Sequence, residues 1–489
     1  MLRHPGIAAG VLFFLAPWAI SWGTGDAMTS HPVLQDTSRT VQAAALLLGA
    51  AALLVANLAV LRSSRGGTEE QLGTLVLTPR QRTAGHLLAL LPLGLLAALL
   101  AGAVAAALAA LPAAAGRTDY WELAAVPVLV VLLGAAGVLL GSLWRSMVVA
   151  PLVLVMLAVG VMLTLVNTSE SRWWWLIAVE QGSPLPVALM SRPSAMHLLY
   201  LLALAVLLGL LALLRHAPRP PLPAVAAGLA AVGVLAAGIA QSGLPSGELE
   251  NRRVAYTERA GEFQDCRKLH GVRYCAFPEF DSWVGEWDRL VRAVRTGMPE
   301  AAARRPGLTV RQRVLAAAEF RVNATSGAAS GATQPLPWPN DGAVSAGLGW
   351  GSGDDEAAMA VEVALHAVTG KPLRNTDTQV CEAQALLVAW LAASASPKAG
   401  EGYRTALDSS WNASVLPGPV NSQQTVMMPD REAEMVRKLL DRPRAETRAK
   451  FKAAWPLLVR PGTTTEQAAK RLGITAPPPP KGEQGMCGR

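Results

Sequence analysis

The chain has 489 residues, of which 52% are hydrophobic, and a formal charge of +8. That length accommodates two or three domains. The positive charge forms no basic stripe interleaved with aromatics, which argues against nucleic acid and leaves membrane lipid as the expected non-protein partner. Apolar content is uneven: long hydrophobic runs fill the first half, the second half reads as soluble, and no lysine occurs before Lys268.

Seven segments are apolar enough to span a bilayer core of about 30 Å, which takes about 20 helical residues. They fall near 6–23, 41–61, 87–111, 123–143, 147–166, 196–214 and 222–241. The first is short, contains Pro17 and follows Arg3, so a signal peptide is an alternative reading. No clean small-x-small cleavage site follows it. With the N-terminus inside, the cytoplasmic side holds Arg3, Arg62, Arg65, Arg80, Arg82, Arg145, Arg215 and Arg219. The short external segments hold Arg39, Arg117, Arg172 and Arg192. The excess favours a cytoplasmic N-terminus, and seven spans then export everything after Gln241.

Between the second and third spans lies a polar stretch, RSSRGGTEEQLGTLVLTPRQRTAGH, over 62–86. Thr68 can cap a helix, with Gln71 completing a capping box. Glu69 and Glu70 then occupy a first turn, where the helix dipole favours negative charge. Leu72, Leu75 and Val76 share one face. Pro79 ends that helix and, with Thr78 as cap, begins the next, which puts Arg80 and Arg82 at the foot of the third span. A plain basic loop with a solvated helix is the competing reading. The pattern Arg-Gly-Gly-Thr-Glu-Glu-x-Leu-x-x-Leu…Pro-Arg-x-Arg at this place resembles the coupling-helix loop of type-2 ABC transporter permeases, most of all the actinobacterial ones. The resemblance covers roughly the first half of the chain. It implies a six-span permease core over 1–220 and a separate, dimeric ATPase subunit that binds ATP and Mg. That subunit would dock on Thr68, Glu69, Glu70, Leu72, Leu75, Val76, Arg80 and Arg82. A second permease copy or a paralogue would complete the pathway.

Three tryptophans, Trp173 to Trp175, follow the fifth span, where indole rings favour the membrane interface. Pro184, Pro186 and Pro193 break the apolar residues after them into short pieces. Small re-entrant helices, as the family has there, and a plain interfacial loop both fit. The seventh span, 221–242, is an addition to the six-span core.

The soluble half, 243–475, is expected to be mainly α and extracellular. Trp283, Trp287, Leu290, Val291 and Val294 fall on one helical face, started by Asp281 or Ser282. Helical patterns recur near 355–369, 379–395, 431–440, 445–457 and 464–473. Strands are expected at 252–256 and 272–277, and 326–353, rich in Gly, Ser and Pro, reads as a long loop. The tail, 476–489, is Pro-rich, and 476–481 reads as extended or disordered. All four cysteines lie in this half without a Cys-x-x-Cys, so disulfides are the natural reading for an exported domain. Cys266 and Cys275 flank RKLHGVRY, whose Gly271 suits a hairpin turn, and are expected to be bridged. Cys381 and Cys487 pair only by elimination, and a small buried core residue is the alternative for Cys381.

Catalytic patterns are lacking. There is no Gly-x-x-x-x-Gly-Lys-Ser/Thr loop; Gly370-Lys371 runs into Pro372. The nearest approach to a zincin helix, Val361 to His366, lacks the first histidine. Asp354 and Asp355 cap a helix on the simplest reading. The chain is therefore expected to be no enzyme, with no cofactor or metal of its own. Inside the spans only Asn57, His197, Tyr200 and the border residue Glu122 are polar enough to note, so no proton relay is apparent, and the expected substrate is apolar or amphipathic. Gly137-x-x-x-Gly141 permits close helix packing. Two functions stay open: the permease subunit of an ABC-type exporter, or a membrane-anchored receptor or assembly protein that presents its exported domain.

Overall fold

The computed structural model describes residues 3–24, 31–67, 78–144, 146–166, 176, 185–190, 193–215, 221–242, 247–305, 307–314, 341–373, 378–409, 414–420, 425–478 and 487. It is mostly helical and divides into two units: Met1–Gly182 with Met190–Pro245, and Ser183–Leu189 with Ser246–Arg489.

The first unit is a helical bundle. Its helices are α1 (Pro5–Gly23), α2 (Leu34–Arg65), α3 (Pro79–Leu88), α4 (Leu91–Ala109), α5 (Tyr120–Leu143), α6 (Val149–Val166), α7 (Ser194–Leu214) and α8 (Pro221–Gln241). Six spans are long and apolar enough to cross a membrane: α1, α2, the nearly continuous α3–α4, α5, α7 and α8. The fifth expected span, α6, is apolar but falls short of that length over its described stretch Val149–Leu163. Among the described residues, every exposed large hydrophobic except Val187 belongs to this unit. A water-soluble protein rarely leaves apolar faces of that extent open, whereas a bilayer solvates them.

The bundle is organised around α2, which packs against α1, α4 and α5, while α7 packs between α5 and α8. At 32 residues α2 is about 48 Å long, which exceeds the bilayer core and carries Arg62 and Arg65 beyond the apolar stretch. Close approach of α2 and α5 requires Gly137: a Cβ there would lie 2.2 Å from the Leu53 carbonyl oxygen. Asn57 donates to the Gly137 carbonyl at 3.4 Å, and a Cβ on Gly141 would touch Val60. The Gly137-x-x-x-Gly141 face is thus occupied by a helix of the same chain.

The second unit mixes helices with two small sheets. It opens with α9 (Gly247–Glu258), where a strand is expected at 252–256. The helix wins because its buried positions, Arg253 and Thr257, are spaced four apart. Both are polar, so apolar periodicity does not reveal them. Arg252 also pairs with Glu248 one turn back. Strands β1 (Asp265–Leu269), β2 (Val272–Ala276), β3 (Thr309–Gln312) and β4 (Val344–Ala346) form a sheet in that order, antiparallel at β1–β2 and parallel thereafter. His270 and Gly271 both have positive φ, as a two-residue hairpin turn of the right twist requires.

Helix α10 (Val284–Thr296) buries Trp287, Leu290, Val291 and Val294, as expected, but begins after a 3-10 turn, Pro278–Trp283, that contains Asp281 and Ser282. A short α11 (Glu300–Ala303) follows. The expected helices appear as α12 (Gly353–Thr369), α13 (Glu382–Ala393), α15 (Asp430–Leu440), α16 (Arg444–Leu458) and α17 (Thr465–Leu472). Between them lie an unexpected helix, α14 (Pro397–Ser409), and a second sheet of β5 (Thr378–Gln379), β6 (Ser414–Pro417) and β7 (Thr425–Met428), ordered β5-β7-β6. Ala383 and Ala385 through Ala393 are buried, on all sides of α13. A helix apolar all round lies in a core, and 12 residues are too few to cross a bilayer. It packs against α12, α14, α15, α16 and α17, and Trp390 stacks on Phe451 with centroids 4.1 Å apart.

Candidate functional site

In the first unit the two ends of the helices differ in chemistry. One end carries Arg62 and Arg65 at the close of α2, Arg80 and Arg82 in the first turn of α3, and Arg215 at the C-cap of α7. Thr78 begins α3 with a capping box: its hydroxyl accepts from the Gln81 N–H at 3.3 Å, and its own N–H donates to Gln81 Oε1 at 2.8 Å. Pro79 follows at N1, where its missing N–H costs nothing. Arg80 is exposed and Arg82 half-buried. Helix α3 packs against α2, α5 and α7, so the two helices that bracket the 62–86 stretch are held in one bundle. Thr68, Glu69, Glu70, Leu72, Leu75 and Val76 lie outside the described residues.

The other end is polar but uncharged in the main. Asp119 caps α5 by accepting from the Trp121 and Glu122 N–H groups at 2.9 and 3.2 Å, and it also accepts from the Ser194 hydroxyl. Gln35 accepts from the Arg117 N–H at 3.0 Å. His197 Nδ1 lies 3.0 Å from Gln241 Oε1, tying the start of α7 to the end of α8. Gln35, Gln42, Glu122, His197 and Gln241 are all buried. Gln35, Gln42 and Gln241 escape a search for ionisable groups; their signal was glutamine at the edge of an apolar run.

In the second unit both cysteine pairs are bridged. Cys266 and Cys275 face each other across the β1–β2 hairpin with Cα atoms 4.1 Å apart, the close spacing of a non-hydrogen-bonded antiparallel pair. Cys381, the N-cap of α13, is joined to Cys487.

The 3-10 turn Val187–Leu189, which lies in sequence between α6 and α7, is built into this unit. Arg253, buried, donates through Nε to the Leu189 carbonyl at 2.9 Å, and the Val187 N–H donates to Glu279 at 3.0 Å. Asp288, also buried, receives His270 Nδ1 at 2.9 Å, the Tyr274 hydroxyl at 3.1 Å and Arg292 Nε at 2.9 Å. Three donors on one carboxylate fix the hairpin tip on α10; burial and the adjacent Asp288 push the Tyr274 hydroxyl pKa up. Glu362, in mid-α12, is fully buried and accepts from the Ser345 N–H at 2.7 Å. Burial pushes its carboxyl up to about 8. Among the described residues no three His, Cys, Asp or Glu side chains are grouped to hold a metal ion.

No family model, curated protein or solved structure matches the chain.

The reading therefore rests on geometry. Asp288 joins the hairpin tip to α10, and Glu362 joins α12 to β4 through the Ser345 N–H, so each carboxylate ties elements together. Asp355 is the N3 partner of a capping box with Ser352, as the capping reading of that acidic pair expects.

Proposed function

We propose that the chain is the membrane-spanning permease subunit of an ABC-type exporter, its second unit outside the cell and its energy supplied by a separate ATPase. The observation that carries the proposal is the frame of the 62–86 stretch. A long helix ending in Arg62 and Arg65 and a Thr78-capped helix bearing Arg80 and Arg82 present the stretch that resembles a coupling loop from a rigid stem. The arginine-bearing end is the cytoplasmic one by the positive-inside bias. Ser194 opens α7 and Gln241 closes α8 at the opposite end, so both chain connections into the second unit leave from there. Two disulfides in that unit favour an oxidising compartment.

Thr68, Glu69 and Glu70 would begin the docking helix, and Leu72, Leu75 and Val76 would enter a groove on the ATPase. Truncating a well-buried interface anchor commonly costs about 2 kcal/mol or more. The test is co-purification of a Walker-type ATPase subunit with this chain from its native membranes. Leu72→Asp with Leu75→Asp releases the ATPase at matched membrane expression, and undiminished recovery refutes the proposal.

A second reading is favoured by the Val187–Leu189 clamp. A soluble unit that grips an inter-helix loop is also what a receptor or assembly protein needs to transmit or fix a signal. That reading expects the double Asp variant to behave like the parent.

A further inference from the structure

The first unit contains an apolar cavity of about 410 Å³ between α3–α4, α5 and α7. Leu87, Gly94, Pro127, Val131, Ala205 and Gly209 are among its lining residues, which are apolar throughout. Its volume falls in the usual range of ligand sites, about 300–1,000 Å³. The cavity opens sideways: Leu91, Leu202 and Val206, which line it, are exposed, as is Leu95 one turn further along α4. A missing side chain helps to shape it, since a Cβ on Gly209 would meet nothing nearer than the Leu87 methyls at 3.7 and 3.8 Å.

The slot has a cationic mouth. Arg80, Leu87, Leu91 and Gly94 are spaced seven, four and three apart, which places them on one helical stripe. Arg80 is exposed at the foot of that stripe. Arg215, six residues beyond Gly209 at the C-cap of α7, lies about 120° around the helix from the slot and takes no part in its mouth. Arg80 is not ion-paired with a described residue. At bilayer depth an apolar slot below an arginine matches an amphipathic anion, not a second apolar helix.

We propose that this groove binds an anionic phospholipid of the arginine-side leaflet, with an acyl chain in the slot and the phosphate at Arg80. The site requires only that the bundle span a membrane.

The test uses the full chain in nanodiscs containing phosphatidylglycerol or phosphatidylcholine with a photoreactive group in the acyl chain. Phosphatidylglycerol is expected to label 87–94 and 202–209 well above the exposed faces of α6 and α8. Phosphatidylcholine is expected to label the groove more weakly. Arg80→Gln should lower the phosphatidylglycerol signal about five-fold, the usual worth of one basic residue beside an anionic membrane. Gly209→Phe should abolish groove labelling with either lipid. If Gly209→Phe does not fold, Arg80→Gln decides alone, because its side chain is exposed in a first turn. Uniform labelling of all exposed faces overturns the proposal, as does equal labelling by the two lipids. Crosslinks joining two copies through α4 or α7 in place of lipid overturn it as well.

Discussion

Glu362 shows how a single residue sets a pH dependence for the second unit. It sits on the buried side of α12 with the Ser345 N–H on one oxygen, in the field of Arg313, itself buried and paired with Asp341. Burial raises its carboxyl to about 8, against an ordinary 4.5. A folded-state value above the unfolded one means that the native state binds the proton more tightly. The stabilisation is then fully present below about 4.5 and is lost as pH rises towards about 8. Glu362→Gln keeps an acceptor for the Ser345 N–H and removes the charge. Thermal melts of the variant should therefore gain on the parent at pH 8 and show little gain at pH 5. A difference independent of pH would count against the buried carboxyl.

Elements in this protein are tied by covalent and polar links at identifiable points. The β1–β2 hairpin pairs Cys266 with Cys275 in register. Closing so short a loop is worth roughly 2–3 kcal/mol in the chain-entropy model. Replacing both cysteines by serine should lower the denaturation midpoint of the second unit accordingly, and unreduced peptide maps of the parent should show the two peptides linked. The Arg253–Leu189 bond holds the turn between α6 and α7 against α9. Removing a charged partner of a buried carbonyl costs about 1–3 kcal/mol. Arg253→Met, which keeps the buried stem, should raise proteolytic cleavage around 185–193 while leaving the membrane helices intact. Unchanged cleavage would mean that the turn is held by its neighbours alone.

At the scale of the whole molecule, the proposed sidedness makes a labelling pattern. Val187 and Glu258 are exposed positions of the same folded unit, separated in sequence by α7 and α8. Cysteines introduced at each should react alike with an impermeant maleimide in intact cells. A cysteine at Arg65, beyond the basic end of α2, should react only after the membrane is opened. Labelling of Arg65→Cys in intact cells would reverse the orientation, and opposite behaviour at 187 and 258 would break the pairing of the two crossings.

The sequence alone determined six of the runs long and apolar enough to cross a membrane and most helices of the second unit. An apolar run of bilayer length has few alternatives, and residues such as Trp287, Leu290, Val291 and Val294 repeat at the helical period. It also determined the Cys266–Cys275 bridge, because a Gly-containing turn and its flanks are local. Tertiary structure decided the rest. It turned 252–256 into a helix whose buried face is made by Arg253, which becomes core only when the Leu189 carbonyl arrives, and Thr257, whose hydroxyl donates to the Arg253 carbonyl one turn back. It gave Gly137 to α2 rather than to another copy, since the contact depends on a backbone oxygen far away in sequence. The short strands β3 to β7 carry too few residues to show a period and exist because neighbouring strands complete their hydrogen bonds. The pairing of Cys381 with Cys487 was decided in the same way: their separation of 106 residues leaves no local signal, and only the folded chain brings them together.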